Sequence, residues 1–179
     1  MRTVVLYSLM SLDGVAESPE TFAAEFDETM DANLRDLIGR QDTVLLGRQM
    51  YDEWASYWPS AGYPVFADFI NNVEKYVFTS TRPPVDWTGT TVVTSDALDV
   101  VRDLKTRPGG DIGVHGSLRL TRSLLAAGLI DRMRLVVFPA LAGGGRKLFD
   151  ETVAGRVSLR QSTSTPSGGV LLDYDVHPL

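Results

Sequence analysis

Asp111 to Phe149 reads DIGVHGSLRLTRSLLAAGLIDRMRLVVFPALAGGGRKLF, and the rest of the chain can be placed around it. A short apolar strand, Ile112 to Val114, runs into His115-Gly116-Ser117. A helix is predicted from near Ser117 to Gly128, and a second strand from Met133 to Phe138, ending at Pro139. Gly143 to Gly145 then form a loop. This is a strand–helix–strand unit with a glycine turn at its first junction.

That junction has specific physics. Ser117 suits an N-cap, whose hydroxyl accepts from a free backbone N–H of the first turn. Gly116 lacks a side chain, so a ligand can approach the backbone there. Free N–H groups and the positive end of the helix dipole converge on one spot, which suits an anion such as phosphate. Arg119 in the first turn opposes the dipole unless a negative ligand is present. A capped helix with a solvated Arg fits the same residues, and the junction alone leaves both readings open.

At 179 residues the chain suits one domain with a sizeable core. Hydrophobic content of 44% and charged content of 22% are those of an ordinary soluble globular protein. A net charge of −6 argues against a nucleic-acid or membrane-surface partner, which calls for a basic face. Cysteine is absent, which excludes disulfides, thiolate nucleophiles and Cys-based metal sites. Arg2 and the apolar run Val4 to Met10 lack a following small-residue cleavage site and soon meet Asp13, so they read as a strand rather than a signal segment. The run Leu124 to Ile130 is too short to cross a bilayer. A cytoplasmic protein is the expectation.

In chain order, Thr3 to Leu9 is a nearly continuous apolar strand of the kind covered on both faces. Pro19 to Arg40 reads as helix, with Met30, Leu34, Leu37 and Ile38 at helical spacing. Thr43 to Leu46 is a second buried strand, closed by Gly47-Arg48 and followed by a helix carrying Met50 and Trp54. Tyr57 to Pro64 reads as a loop, Val65 to Val73 as a short helix and Lys75 to Phe78 as a strand. Thr90 to Thr94 is another strand, and Asp96 caps a helix that runs to about Thr106. Arg156 to Thr163 and Val170 to Val176 form a terminal antiparallel hairpin around Pro166-Ser167-Gly168-Gly169. The expected fold class is α/β, a mixed and mostly parallel central sheet flanked by helices, with that hairpin at its end.

Four buried strands end in small or polar turns: Ser11-Leu12-Asp13-Gly14, Gly47-Arg48-Gln49, Ser80-Thr81-Arg82 and His115-Gly116-Ser117. In a parallel sheet such ends share one edge, and ligands bind there. Arg48, Arg82 and Arg119 recur at these ends in an acidic chain, which points to an anion with more than one phosphate.

Four segments together resemble one family. They are SLDGVA (11–16), LLGRQMYDEW (45–54), KYVFTSTR (75–82) and VHGSLRLTRSLLAAGLIDRMRLVVFPALAGGGRKLF (114–149), and in order they touch nearly the whole length. The chain resembles the dihydrofolate reductase-like proteins related to the C-terminal reductase domain of bifunctional riboflavin biosynthesis enzymes. The resemblance implies a dihydrofolate reductase-like fold, NADPH as cofactor and a homodimer. By carry-over, Gly47 and Arg48 face the cofactor phosphates, and Ser80, Thr81 and Arg82 hold the adenosine end and its 2′-phosphate. Gly116, Ser117, Leu118 and Arg119 wrap the pyrophosphate through backbone N–H groups, while Ser11, Asp13 and Gly14 border the nicotinamide; His115, where many relatives have glycine, is a candidate cofactor-binding residue that either donates to the ligand or packs against the strand ends. No G-x-G-x-x-G occurs, so an ordinary dinucleotide fold does not fit. Gly128 to Arg132 reads GLIDR where relatives often have GLIDE, and the Leu-Pro-Trp of true dihydrofolate reductases is missing, which disfavours folate as substrate. The Cys residues and length of the zinc deaminase domain found in bifunctional relatives are missing too.

The function expected is hydride transfer to a small heterocyclic, carbonyl or imine substrate. The alternatives are a non-catalytic NADP(H)-binding or regulatory protein, and an aminopyrimidine reductase of riboflavin biosynthesis. Asp13 is the first candidate proton donor, with Asp27, Tyr51 and Glu53 behind it; an Asp-Gly turn explains Asp13 equally well. Tyr51, Trp54, Tyr57, Trp58, Phe138 and the Gly144 loop are candidates for the substrate pocket, with core packing or a tight turn as the competing reading. No G-x-S-x-G occurs, and His115 and His177 have no metal-ligand spacing.

Overall fold

A computed structural model describes residues 1–151 and 153–177. β1 (Val4–Ser11) lies inside an eight-stranded sheet, and this explains its unbroken apolar run. Its neighbours are β5 (Asp111–His115) on one side and β6 (Arg132–Phe138) on the other, both parallel. Beyond β5 come β2 (Gln41–Gly47), β3 (Glu74–Phe78) and β4 (Thr90–Val93), all parallel. Beyond β6 come β8 (Val170–His177) and the edge strand β7 (Arg156–Ser164), each antiparallel to its neighbour. The mixed, mostly parallel sheet and its terminal hairpin are as expected.

Each face of the sheet carries its own apolar layer. Val5 and Tyr7 point to one side, under α1 (Glu28–Ile38), α2 (Arg48–Tyr57) and α3 (Pro64–Asn72). Val4 and Leu6 point to the other, under α4 (Ala97–Thr106) and α5 (Leu118–Ala126). Among the described residues, no helix is long and apolar enough to cross a membrane.

The helix expected over Pro19 to Arg40 is not continuous. A single 3-10 turn covers Pro19–Thr21, and the chain is then irregular up to Asp27. Ser18, just before the turn, sits in the left-handed region at φ 47°. The Asp27 carboxylate then starts α1 by accepting from Met30 N at 3.0 Å. The same carboxylate accepts from Ser167 N and Oγ, tying the β7–β8 turn to the helix. Burial pulls the Asp27 carboxyl upward, but the hydrogen bonds from Ser167 and Met30 outweigh it and hold the group well below the usual range. Asp27 is therefore a cap and an anchor, not a proton donor.

Tyr51 is also a structural residue. Its hydroxyl donates to Val85 O at 2.9 Å and accepts from Trp87 N at 3.0 Å, pinning the connection between β3 and β4 onto α2. With 1% of its surface exposed, it belongs to the core and not to a substrate pocket. Phe138, at 2%, is likewise in the core, edge-on to Phe22 at 6.2 Å. Tyr51→Phe leaves the buried Trp87 N–H without its acceptor, a loss of about 1–3 kcal/mol. Urea unfolding is expected to show the midpoint falling accordingly; an unmoved midpoint would mean that another group replaces the hydroxyl.

Candidate functional site

The carboxyl ends of β1, β2, β3 and β5 open onto one cleft of ≈1120 Å³. Ligand pockets commonly run to about 300–1,000 Å³, so this one has room for a large ligand or for two side by side.

Two helices start at this cleft. Gly47 leads into α2 and Ser117 into α5, and neither helix has a side-chain cap. By contrast, α1 is capped by Asp27 and α4 by Asp96, which accepts from Leu98 N and Asp99 N. Helix α3 begins on Pro64, which has no N–H to satisfy. The Ser117 hydroxyl was expected to cap its own helix. It instead accepts from Gly47 N at 2.9 Å, fastening the two helix starts to each other. Gly116 adopts φ +72°, and a Cβ there would lie 2.9 Å from Met50 Cε. The backbone therefore turns under α2 at a left-handed φ that favours glycine, and the first-turn N–H groups have no side-chain cap. The Leu118 side chain is buried in the second apolar layer, so only its backbone can serve a ligand.

The three arginines play different parts. Arg48 donates from Nε to Asp52 at 2.7 Å and from Nη1 to Thr79 Oγ1, Thr81 O and Thr81 Oγ1. It lines the cleft and holds the chain after β3 against α2. Arg119 lines the cleft and is exposed; its carbonyl accepts from Ser123 Oγ at 3.1 Å, and its guanidinium has no hydrogen-bond or ion-pair partner among the described residues. Arg82 points away, paired with Asp86 at 3.1 Å, and neither it nor Ser80 nor Thr81 lines the cleft.

His115 lies on the floor of the cleft, 3% exposed, its Nε2 sharing a 2.8 Å hydrogen bond with Gln41 Oε1. Tyr7 and Phe66 pack against its ring at 5.8 and 5.6 Å. Burial pushes its pKa down to about 3, so it is neutral. Around it stands a wall of rings: Trp54 and Tyr57 from α2, Trp58 from the 3-10 turn that follows, Tyr63 and Phe66 from the start of α3, and Phe26 before α1. Glu53 lines the same stretch, accepting from Gln49 Nε2 at 3.1 Å.

Ser11, Asp13 and Gly14 do not line the cleft. The Ser11 hydroxyl donates to Asp13 at 2.6 Å, and Asp13 also accepts from Ala142 N and Gly143 N, both at 2.9 Å. These bonds, that from Ser11 foremost, lower its pKa to about 2. An anion so held is a clasp between two loops and a poor proton donor. Gly14 O accepts from Leu148 N in the same seam, and Gly144 is exposed with open space around it, away from the cleft.

Several cleft residues escaped the sequence reading. Tyr7 was hidden in a strand read as uniformly apolar; its alternation with Leu6 and Ser8 was the available signal. Arg146 and Glu17 pair across the mouth at 2.7 Å. They lie 129 residues apart, a long-range pairing with no local signature.

Comparison with known proteins places these features. The family model described as the RibD C-terminal domain matches residues 2–171. The uncharacterized protein YyaP of Bacillus subtilis (strain 168) is 30% identical over 175 residues, which cover 95% of this chain and 92% of that one. A provisionally named riboflavin biosynthesis protein of Shewanella sp. PV-4 superimposes with TM-score 0.78 at 20% identity, covering 98% and 99% of the two chains. Dihydrofolate reductase from Enterococcus faecalis, solved with NADP(H), superimposes with TM-score 0.66 at 14% identity, covering 98% and 97%. These structural likenesses show the dihydrofolate reductase-like fold.

The buried His115 carries a pH dependence. Its pKa of about 3 lies below the ordinary 6.5, so the fold favours the neutral ring. That preference is fully present above about pH 6.5 and is lost as pH falls toward 3, with a slope of up to about 1.4 kcal/mol per pH unit. Urea midpoints compared at pH 7 and pH 5 are expected to fall, and His115→Gln, neutral at both, is expected to flatten that fall. An equal pH dependence in the variant would assign the acid sensitivity elsewhere.

Proposed function

We propose, on the premise that this chain belongs to the RibD C-terminal domain family, that it is an NADPH-dependent reductase of a small heterocycle. The observation that carries this reading is the pair of uncapped helix starts, fastened by Ser117 and Gly47, with the unpartnered Arg119 beside them. Bare N–H groups, two dipole ends and a free guanidinium together suit a ligand with adjacent phosphates.

The residues present fit a phosphorylated dinucleotide. Gly116 gives the backbone close approach, the first turns of α2 and α5 supply donors, and Arg119 supplies charge. Arg48 braces Thr81, which on this reading lies beside the adenosine end. NADPH, when bound, supplies the hydride; the chain supplies position and surroundings. The ring wall on α2 and α3 shields the reacting end from water, which strengthens every polar contact there. Bound there, the cofactor would supply hydride to the carbon of a C=N or C=O, and Asp13, held as an anion outside the cleft lining, is poorly placed to supply the proton. A second reading, the aminopyrimidine reductase of riboflavin biosynthesis, is favoured by the family match over residues 2–171.

Titrating NADPH and NADH by nicotinamide fluorescence tests the grip. Arg119→Ala removes a charge-assisted contact of about 1.5–3 kcal/mol, which is roughly a 10–100-fold loss of affinity. If Arg82 swings from Asp86 to a 2′-phosphate, Arg82→Ala weakens NADPH more than NADH; equal effects remove it from the site. Failure of the unaltered protein to bind either nucleotide would overturn the proposal, and binding without turnover of any carbonyl or imine would favour a regulatory role.

A further inference from the structure

His115 is fixed by contacts on two adjoining strands and two helices. Its ring packs against Tyr7 of β1 and Trp54 of α2, with centroids 5.8 and 6.5 Å away. Phe66 and Phe69 of α3 lie at 5.6 and 6.1 Å. Gln41 reaches it from β2, and Nε2 shares a 2.8 Å hydrogen bond with Gln41 Oε1. The two side chains meet over Gly113, where a Cβ would lie 2.3 Å from Gln41 Oε1 and 2.8 Å from His115 Nε2. A side chain at 113 would displace the amide, so glycine there keeps the pair together.

The pair decides where the imidazole proton sits. A ring nitrogen that meets a carbonyl oxygen must be the donor, so the proton is on Nε2. Burial keeps the ring neutral, and Nδ1 is left with a lone pair. Nδ1 has no hydrogen-bond partner among the described residues, and it is not one of the polar atoms buried without a partner. It therefore keeps open surface, and since His115 lines the cleft, that surface belongs to the cleft floor. The Tyr7 hydroxyl, on the register-paired residue of β1, makes no hydrogen bond and so does not occupy it. The helix starts and Arg119 offer hydrogens to a ligand, whereas Nδ1 can only accept one.

We infer that His115 Nδ1 accepts a hydrogen bond from an uncharged N–H group of the ligand, a primary amide or a ring amino group, and that Gln41 is the positioning residue that keeps this nitrogen free of a proton. This rests on the reductase reading and adds a specificity-determining residue to the same cleft. An oxygen acceptor brought to the same place would set two lone pairs against each other, so the floor selects N–H over C=O. The N–H group can come from the cofactor carboxamide or from a second ligand, and the test separates these sources.

The test needs no turnover. The full chain, labelled with 15N in histidine, is expected to show the Nε2–H tautomer by NMR. It is then titrated with NADPH and with the reduced 3-acetylpyridine analogue, whose methyl ketone lacks the amide N–H. If the carboxamide is the source, the Nδ1 resonance moves with NADPH and not with the analogue, and NADPH binds about three- to tenfold more tightly, as one hydrogen bond would give. If a second ligand is the source, neither nucleotide moves Nδ1. Pterin added to the NADPH-loaded chain then moves it, while lumazine, with oxygen in place of the amino group, does not. His115→Phe, which keeps a ring, is expected to abolish the preference found. Gln41→Met is expected to spread the proton over both ring nitrogens and to weaken that preference, a tautomer signal that a merely structural glutamine would not control. A proton found on Nδ1, as the reverse orientation of the Gln41 amide would place it, overturns the inference. So does an Nδ1 resonance unmoved in both arms, which means that solvent alone meets it. The nucleotide titration separates the failures: if NADPH binds and Nδ1 never moves, the inference falls while the reductase reading stands, and if no nucleotide binds, both fall.

Discussion

A parallel strand cannot be left half covered, and the centre of this molecule is built from parallel strands. β5, β1 and β6 run the same way, so each connection must cross a face of the sheet, and both faces acquire helices. All carboxyl ends therefore gather at one edge. The backbone leaving β2 and β5 must turn at once into a helix, and a helix start always brings bare N–H groups. The cleft is where these demands coincide. The antiparallel β8 and β7 extend the sheet at the far side and leave that edge of the sheet untouched.

Those bare groups are treated in two ways. Where no ligand is expected, Asp27 and Asp96 satisfy them from within the chain. At the cleft the one suitable side chain, Ser117, turns aside to Gly47. That exchange costs α5 its cap and in return fixes the distance between two helix starts. A site that must grip adjacent phosphates benefits more from fixed spacing than from one satisfied N–H, because preorganised donors need no rearrangement when the ligand arrives.

The strands were legible because burial on both faces writes long apolar runs, as in Val4 to Leu9 and Met133 to Phe138. The glycine junction at Gly116 was legible because the turn into α5 takes a left-handed φ of +72°, which glycine adopts without strain. What stayed hidden was the destination of polar side chains. Asp13, Asp27 and Tyr51 are chemically able groups in plausible places, yet each is consumed by partners distant in sequence: Ala142 and Gly143, Ser167, and Val85 with Trp87. Phe138 looked like a pocket residue because pocket and core draw on the same side chains. The break before α1 was hidden because Asp27, where the helix starts, is fixed by a bond to Ser167, 140 residues away. The family resemblance pointed to the edge of the sheet where the cleft lies, but it could not say which groups there remain free.

The freedom of one group and the occupation of its neighbours give the cleft its polarity. Arg48 is neutralised by Asp52 and Arg146 by Glu17, so the net positive field within the cleft comes from Arg119 and the two helix starts. Glu20 and Glu53 add negative charge to the lining of the same cleft. In a low-dielectric recess such a field is screened less than on an open surface. A dinucleotide bearing phosphates at one part and an uncharged ring at another has one favourable direction of entry on the proposed reading, with phosphates toward Gly116. The uncharged ring then falls beside the aromatic wall, which needs no charge of its own to hold it. On the proposed reading that orientation follows from Arg119, which has no ion-pair partner among the described residues, while the other two arginines lining the cleft, Arg48 and Arg146, each have a carboxylate.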